Sequence, residues 1–241
     1  MPTAPEIRVA RIDYGLLLEA GLLNPKIPPD SLLLLATLDI RWDPQDPAAA
    51  VARLEEALLA VSPGLALHEC RGPSSYHVLA RTRRPRALTP GERGTLVEAP
   101  LALAHLVEHA IIDFQCDILG EIRCSGITAA RRAPRGRFDL IVECSDPHTG
   151  RCCLSLAATW LTSAARGHTL GSAEREILAA ARLAHARRGE ALRPRAVARA
   201  LHWPQARAER ALSALSEVGY LVETRHTVNL SGVPEYRVCR G

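Results

Sequence analysis

The stretch Leu101–Leu119, LALAHLVEHAIIDFQCDIL, decides how the rest of the chain is read. Its apolar positions Leu103, Leu106, Val107, Ala110, Ile111, Phe114 and Ile118 recur at helical spacing, the pattern of an α-helix that buries one face. Gly120 follows as a C-terminal stop. At about 100° per residue the apolar set occupies one arc, with His105, Glu108 and His109 on the opposite one. A solvated second face would carry some of the arginines that crowd this chain, yet no Lys or Arg occurs from Gly94 to Ile122. Leu101 and Ile112 also sit among the polar three. The helix is therefore expected to be covered on both sides, which makes His105, Glu108 and His109 buried polar groups in need of partners.

One chemistry answers that need. In His-x-x-Glu-His, two imidazoles four residues apart share a helical face and can reach a single ion, with the carboxylate one turn on from His105. This is the inverted form of the zinc-hydrolase signature. It predicts that His105 and His109 bind Zn2+ and that Glu108 is the catalytic base taking a proton from the attacking water. A hydrogen-bonded core cluster is the alternative that five residues leave open. Catalytic zinc takes a third protein ligand. Related inverted-motif sites draw it from a downstream glutamate, which points to Glu143 at the end of FDLIVE, with Asp146, His148, His68 and Cys70 as open alternatives.

Working outward, the 241 residues are 47% hydrophobic and 23% charged, enough for one large or two modest domains. The longest apolar run, Leu32–Ile40, is interrupted by Thr37 and Asp39 and is too short to cross a bilayer, so it reads as a buried strand. The N-terminus has no secretory pattern, which places the chain in the cytoplasm, away from membranes. Seven cysteines without a Cys-x-x-Cys, two of them adjacent at Cys152 and Cys153, indicate reduced, buried thiols. The net charge of +4 and pI near 8.8 are mildly basic, and Lys26 is the only lysine.

Strands are predicted around Ile7–Ile12 and at Leu32–Ile40, Leu65–Arg71 and Phe138–Cys144, and helices at Pro47–Val61 and Thr149–Ala165. Arg81–Gly94 reads as a solvated loop. The fold class is thus α+β, a sheet with packed helices, one of them bearing the His-x-x-Glu-His motif. A boundary near Ala165–Gly171 separates a domain over 1–168 from a second over 169–241.

The segments LLLATLDI (33–40), PGLALHEC (63–70), HLVEHAIIDFQ (105–115) and FDLIVECSDPHTGR (138–151) occur in this order. Together they make residues from about 30 to 165 similar to the N-terminal domain of cyanophycin synthetases. The resemblance implies an α+β domain with a zinc-peptidase-like pocket that acts on a peptide polymer, and it supports His105, Glu108, His109 and Glu143. The chain departs from that family in lacking anything like the ATP-grasp or Mur-ligase-like parts. The link SGITAARRAP (125–134) is also altered, so Arg131 and Arg132 receive no substrate role.

Beyond the boundary, helices are predicted at Ser172–Arg187, Arg195–Leu201 and Pro204–Val218, followed by two strands around a Ser-Gly turn. This is the order of a winged helix. A DNA-binding version would present Gln205, Arg207 and Arg210 from its third helix and Arg225 from the wing, whereas Glu209, Glu217 and Glu223 dilute the basic face and fit a protein partner equally. Expected partners are therefore a peptide or amide substrate, DNA or a protein at the C-terminal module, and a second copy of the chain. The leading expectation is a zinc-dependent amide or peptide hydrolase. Against it stand a DNA-binding regulator that senses a metal or small ligand, and a scaffold that binds no metal.

Overall fold

A computed structural model describes residues 4–17, 24, 26–64, 99–120, 124–131, 133–224 and 234–239. Strands β1 (Glu6–Leu16), β2 (Leu32–Arg41), β3 (Gly126–Ala130) and β4 (Arg137–Glu143) form an antiparallel sheet in the order β1-β2-β4-β3. Helices α1 (Pro47–Val61), α2 (Ala99–Leu119) and α3 (Pro147–Ala165) come from the same part of the chain. Helices α4 (Ser172–Ala186), α5 (Pro194–Leu201) and α6 (Gln205–Glu217) and a two-stranded sheet of β5 (Leu221–Thr224) and β6 (Glu235–Val238) complete the architecture. The α+β expectation holds. The predicted strand Leu65–Arg71, the loop Arg81–Gly94, Arg132, Arg225 and the Ser-Gly turn lie outside the described residues. No helix among the described residues is long and apolar enough to cross a membrane.

Local chemistry sets the helix starts. Asp46 accepts the Ala49 N–H and Pro47 occupies the first turn of α1, while Asp146 accepts the Thr149 N–H ahead of Pro147 in α3. Helix α2 ends at Gly120, whose φ of 72° is left-handed. At α4, Gly171 precedes the helix and its N–H donates to the Glu174 carboxylate.

The sheet has two unlike faces. Leu34, Ala36, Leu38 and Ile40 of β2 and Phe138, Leu140 and Val142 of β4 join the main core with α1, α2 and α3. Each Leu, Ile, Val or Phe side chain among them contributes roughly 1.5–3 kcal/mol on burial, and the edge-to-face pair Phe114–Trp160, with centroids 5.1 Å apart, adds about 0.5–1.5 kcal/mol. The intervening residues face the other way. Leu33, Ile127 and Ile141 cluster there with Ile27. Further along, Asp39 meets Arg8 and Arg137, and Asp139 meets Thr37 and Arg131.

The expected boundary at 168/169 falls in the turn between α3 and α4, yet the apolar core does not stop there. Leu178, Ala181 and Ala184 of α4 belong to the same cluster as α2, and it continues through Leu212, Leu215, Tyr220 and Tyr236. A polar node reinforces the junction: Asp146 accepts from the Thr149 hydroxyl and from Arg188, just beyond α4, and Tyr220 lies against Thr149.

Burial by itself would raise the Asp146 carboxyl, but the Thr149 hydroxyl and the Arg188 guanidinium outweigh it and hold the group below its ordinary value. A lowered folded-state pKa stabilises the fold above the usual carboxylate range, and that contribution is lost as pH falls toward the folded value. Asp146→Ala is expected to cost about 1–2 kcal/mol in urea denaturation, through loss of the α3 cap. The deficit relative to wild type should shrink as pH is lowered from 6 to 3, and a deficit independent of pH would contradict this account.

Candidate functional site

Helix α2 is buried on both sides, as its sequence requires. Leu103, Val107, Ala110, Ile111 and Phe114 are fully enclosed by the core, while Glu108 and Ile112 lie under β3. Glu108 is only 4% exposed, and His105 and His109 are half-buried.

The three motif residues make one connected group. The Nε2 atoms of His105 and His109 approach to 3.0 Å, with ring centroids 4.4 Å apart and planes inclined by 70°. On the other side of the His105 ring, Nδ1 lies 3.3 Å from Glu108 Oε2. The Thr128 hydroxyl donates to that same oxygen, while Glu108 Oε1 rests against the backbone of Gly126. Strand β3 can come this close only because residue 126 has no side chain: a Cβ there would stand 2.6 Å from Oε1 and 3.0 Å from Ile112 Cδ1.

Two converging imidazole nitrogens are a donor pair for a first-row cation. Zn–N bonds of about 2.0–2.1 Å at tetrahedral angles separate ligand nitrogens by roughly 3.3 Å, so the 3.0 Å spacing needs only a small opening to accept the ion. Without an ion, one ring donates an N–H to the other. The Glu108–His105 contact is the arrangement in which an outer carboxylate fixes the tautomer and orientation of a ligating histidine. Glu108 Oε2 is thus engaged by two partners, His105 and Thr128.

Glu143 is not brought to this group. Leu140 and Val142 face α2, so strand alternation turns Glu143 to the opposite face of the sheet, with Ile141. There its carboxylate accepts from the Ser31 hydroxyl at 2.8 Å and the Ser125 N–H at 2.7 Å. The expectation that Glu143 is the third ligand is corrected on this geometry. Asp146 is committed to capping α3 and to Arg188, and His148 lies in the first turn of that helix. Among the described residues no group of three or more His, Cys, Asp or Glu is gathered for a metal ion. His68 and Cys70 lie outside the described residues.

Sequence reasoning missed Thr128 and Gly126. Both sit in a stretch read as a link because Gly126 and two alanines dilute its strand signal, although Ile127–Thr128 is a β-branched pair.

At the C-terminal module, Gln205 and Arg210 are exposed on α6, but Arg207 is turned back, 3.3 Å from Glu176 of α4 and stacked near Trp203. Gln205 donates to Glu209, and Glu217 is exposed on the same helix. The face is mixed rather than basic.

No protein-family model, curated protein or solved structure matches this chain.

Gly126→Ala is expected to cost roughly 1–3 kcal/mol, because either β3 or the Glu108 carboxylate must move. The cost should show in thermal denaturation together with displaced His105 ring resonances in NMR spectra. Wild-type stability and unmoved resonances would contradict the packing described.

Proposed function

We propose that the chain is a zinc-dependent hydrolase of an amide or peptide bond, with His105 and His109 as metal ligands. The observation that carries this reading is the approach of the two Nε2 atoms to 3.0 Å on a helix otherwise sealed by core. When bound, zinc would supply a Lewis acid for the carbonyl and a water acidified to a pKa of about 7. Glu108, held by Thr128, keeps the His105 ring turned so that Nε2 faces His109. The third ligand is assigned to His68 or Cys70. The likeness of residues 30–165 to the N-terminal domain of cyanophycin synthetases belongs to the same reading, and so does a cytoplasmic setting.

The C-terminal module is read as a winged helix on its order of α4, α5, α6 and hairpin, with an isolated bridge between Leu192 and Tyr236 supplying the extra strand contact. Its third helix exposes Arg210 beside Glu209 and Glu217, which favours a protein partner, a second copy of the chain included, over the phosphate backbone of DNA.

Glu108→Gln separates the two roles open to this carboxylate. As a positioning residue, Gln is expected to weaken zinc affinity by about 10–100-fold, with hydrolysis regained at saturating zinc. A variant that binds zinc like wild type but stays inactive at saturation would return Glu108 to the part of general base. For the third ligand, His68→Ala and Cys70→Ala are compared by zinc titration. One of them should match the loss seen on removing His109, and wild-type affinity in both would refute the assignment.

A further inference from the structure

The sheet order β1-β2-β4-β3 leaves one side of β1 without a neighbouring strand among the described residues. Which backbone groups stand open there follows from the ladder. The Cys144 N–H donates to the Leu32 carbonyl and the Ile40 N–H to the Gly136 carbonyl, so the even-numbered residues of β2 exchange their hydrogen bonds with β4. The odd-numbered Leu33, Leu35 and Thr37 therefore turn to Gly15, Asp13 and Arg11 of β1. That alternation directs the N–H and C=O groups of Ile12 and Tyr14 outward, at the free edge. Their side chains pack on the core together with Ile7 and Val9, yet all four stay only half-buried.

β1 runs for 11 residues, and a bare edge of that length is a template for another strand. Two features limit which strand it accepts. The pairing with β2 slips between Val9 and Arg11, and such a bulge interrupts any ladder that tries to cross it. The regular stretch therefore begins at Arg11. On its outer face Arg11 and Asp13 lie 2.5 Å apart with side chains 72% and 44% exposed, a surface pair that solvent screens and that contributes little to the fold. A strand laid antiparallel along this edge must set an acid opposite Arg11 and a base opposite Asp13.

β1 itself meets both conditions. With Ile12 opposite its own copy, Arg11 stands across from the partner's Asp13 and Asp13 across from the partner's Arg11, while the two Ile12 residues exchange backbone hydrogen bonds. Moving the axis to Asp13 or to Arg11 would set like charges face to face. Moving it to Tyr14 would place Asp13 opposite Gly15 and Arg11 opposite Leu17, with no charge matched. We infer that β1 is a homodimer interface, two copies joining edge to edge by antiparallel β1 pairing about a twofold axis at Ile12. The contact is isologous, so it closes the edge instead of propagating it.

The test is sedimentation velocity of the full chain over a dilution series, beside Arg11→Glu, Asp13→Arg and the double variant carrying both changes, each checked for fold by circular dichroism. Wild type is expected to run at twice the chain mass and to dissociate on dilution. Each single variant sets like charges opposite one another and should weaken the dimer about tenfold or more, and the double variant, its signs exchanged at both positions, should recover it. A second readout is crosslinking of an equimolar mixture of Arg11→Cys and Asp13→Cys, whose paired Cα atoms would lie about 4.5 Å apart, within reach of a disulfide that neither variant forms alone. A wild-type chain that stays monomeric, or a double variant no stronger than the single ones, would overturn the inference. Single variants that dimerise like wild type would also overturn it and place the contact elsewhere, as at the C-terminal module.

Discussion

A carboxylate buried to 4% exposure loses several kcal/mol of hydration unless charged or hydrogen-bonding partners replace the water, and around Glu108 this requirement shapes the domain. Thr128 and His105 meet it from two sides. Thr128 can reach the carboxylate only if β3 lies close over α2, and β3 lies close only because Gly126 carries no side chain. The approach is pinned further by the Asn24 side-chain amide, which donates to the Gly126 carbonyl. His105 in turn is oriented by the same carboxylate, so its Nε2 faces His109. Strand position and imidazole geometry both follow from one buried carboxyl group.

The same helix ties the two halves of the chain together. The core-facing residues of α2 pack on the sheet and α3, while α4 joins the same apolar cluster and the Asp146–Arg188 pair anchors the chain after it. The C-terminal helices are therefore not an appendage on a flexible link. Arg182 of α4 also pairs with Asp117 of α2 at 3.0 Å, an exposed ion pair that contributes at most about 1 kcal/mol to stability.

Much of this was legible in the residues. The helix over Pro47–Val61 shows itself through the spacing of Val51, Leu54, Leu58 and Val61, and the structure gives it the same bounds. The double-sided burial of α2 followed from the missing arginines, because a charge deficit on one face records what covers it. Three things were less legible, each for a physical reason. Strand β3 is short and three of its five residues are alanine or glycine, so its pairing with β4 outweighs a weak local preference. Glu143 was chosen by analogy with related inverted-motif sites, but strand parity decides its side of the sheet, and Val142 takes the inward position. Arg207 looked like part of a recognition face until α4 supplied Glu176, a partner invisible in a local reading.

The measurement that bears most directly on the central claim is zinc content and zinc affinity of the purified chain beside His105→Ala and His109→Ala. The account predicts near-stoichiometric zinc in wild type and its loss in both variants, with the fold retained by circular dichroism. Wild-type protein that takes up no zinc under zinc-replete conditions, or variants that bind it undiminished, would contradict the claim and make the histidine pair a hydrogen-bonded element of the core.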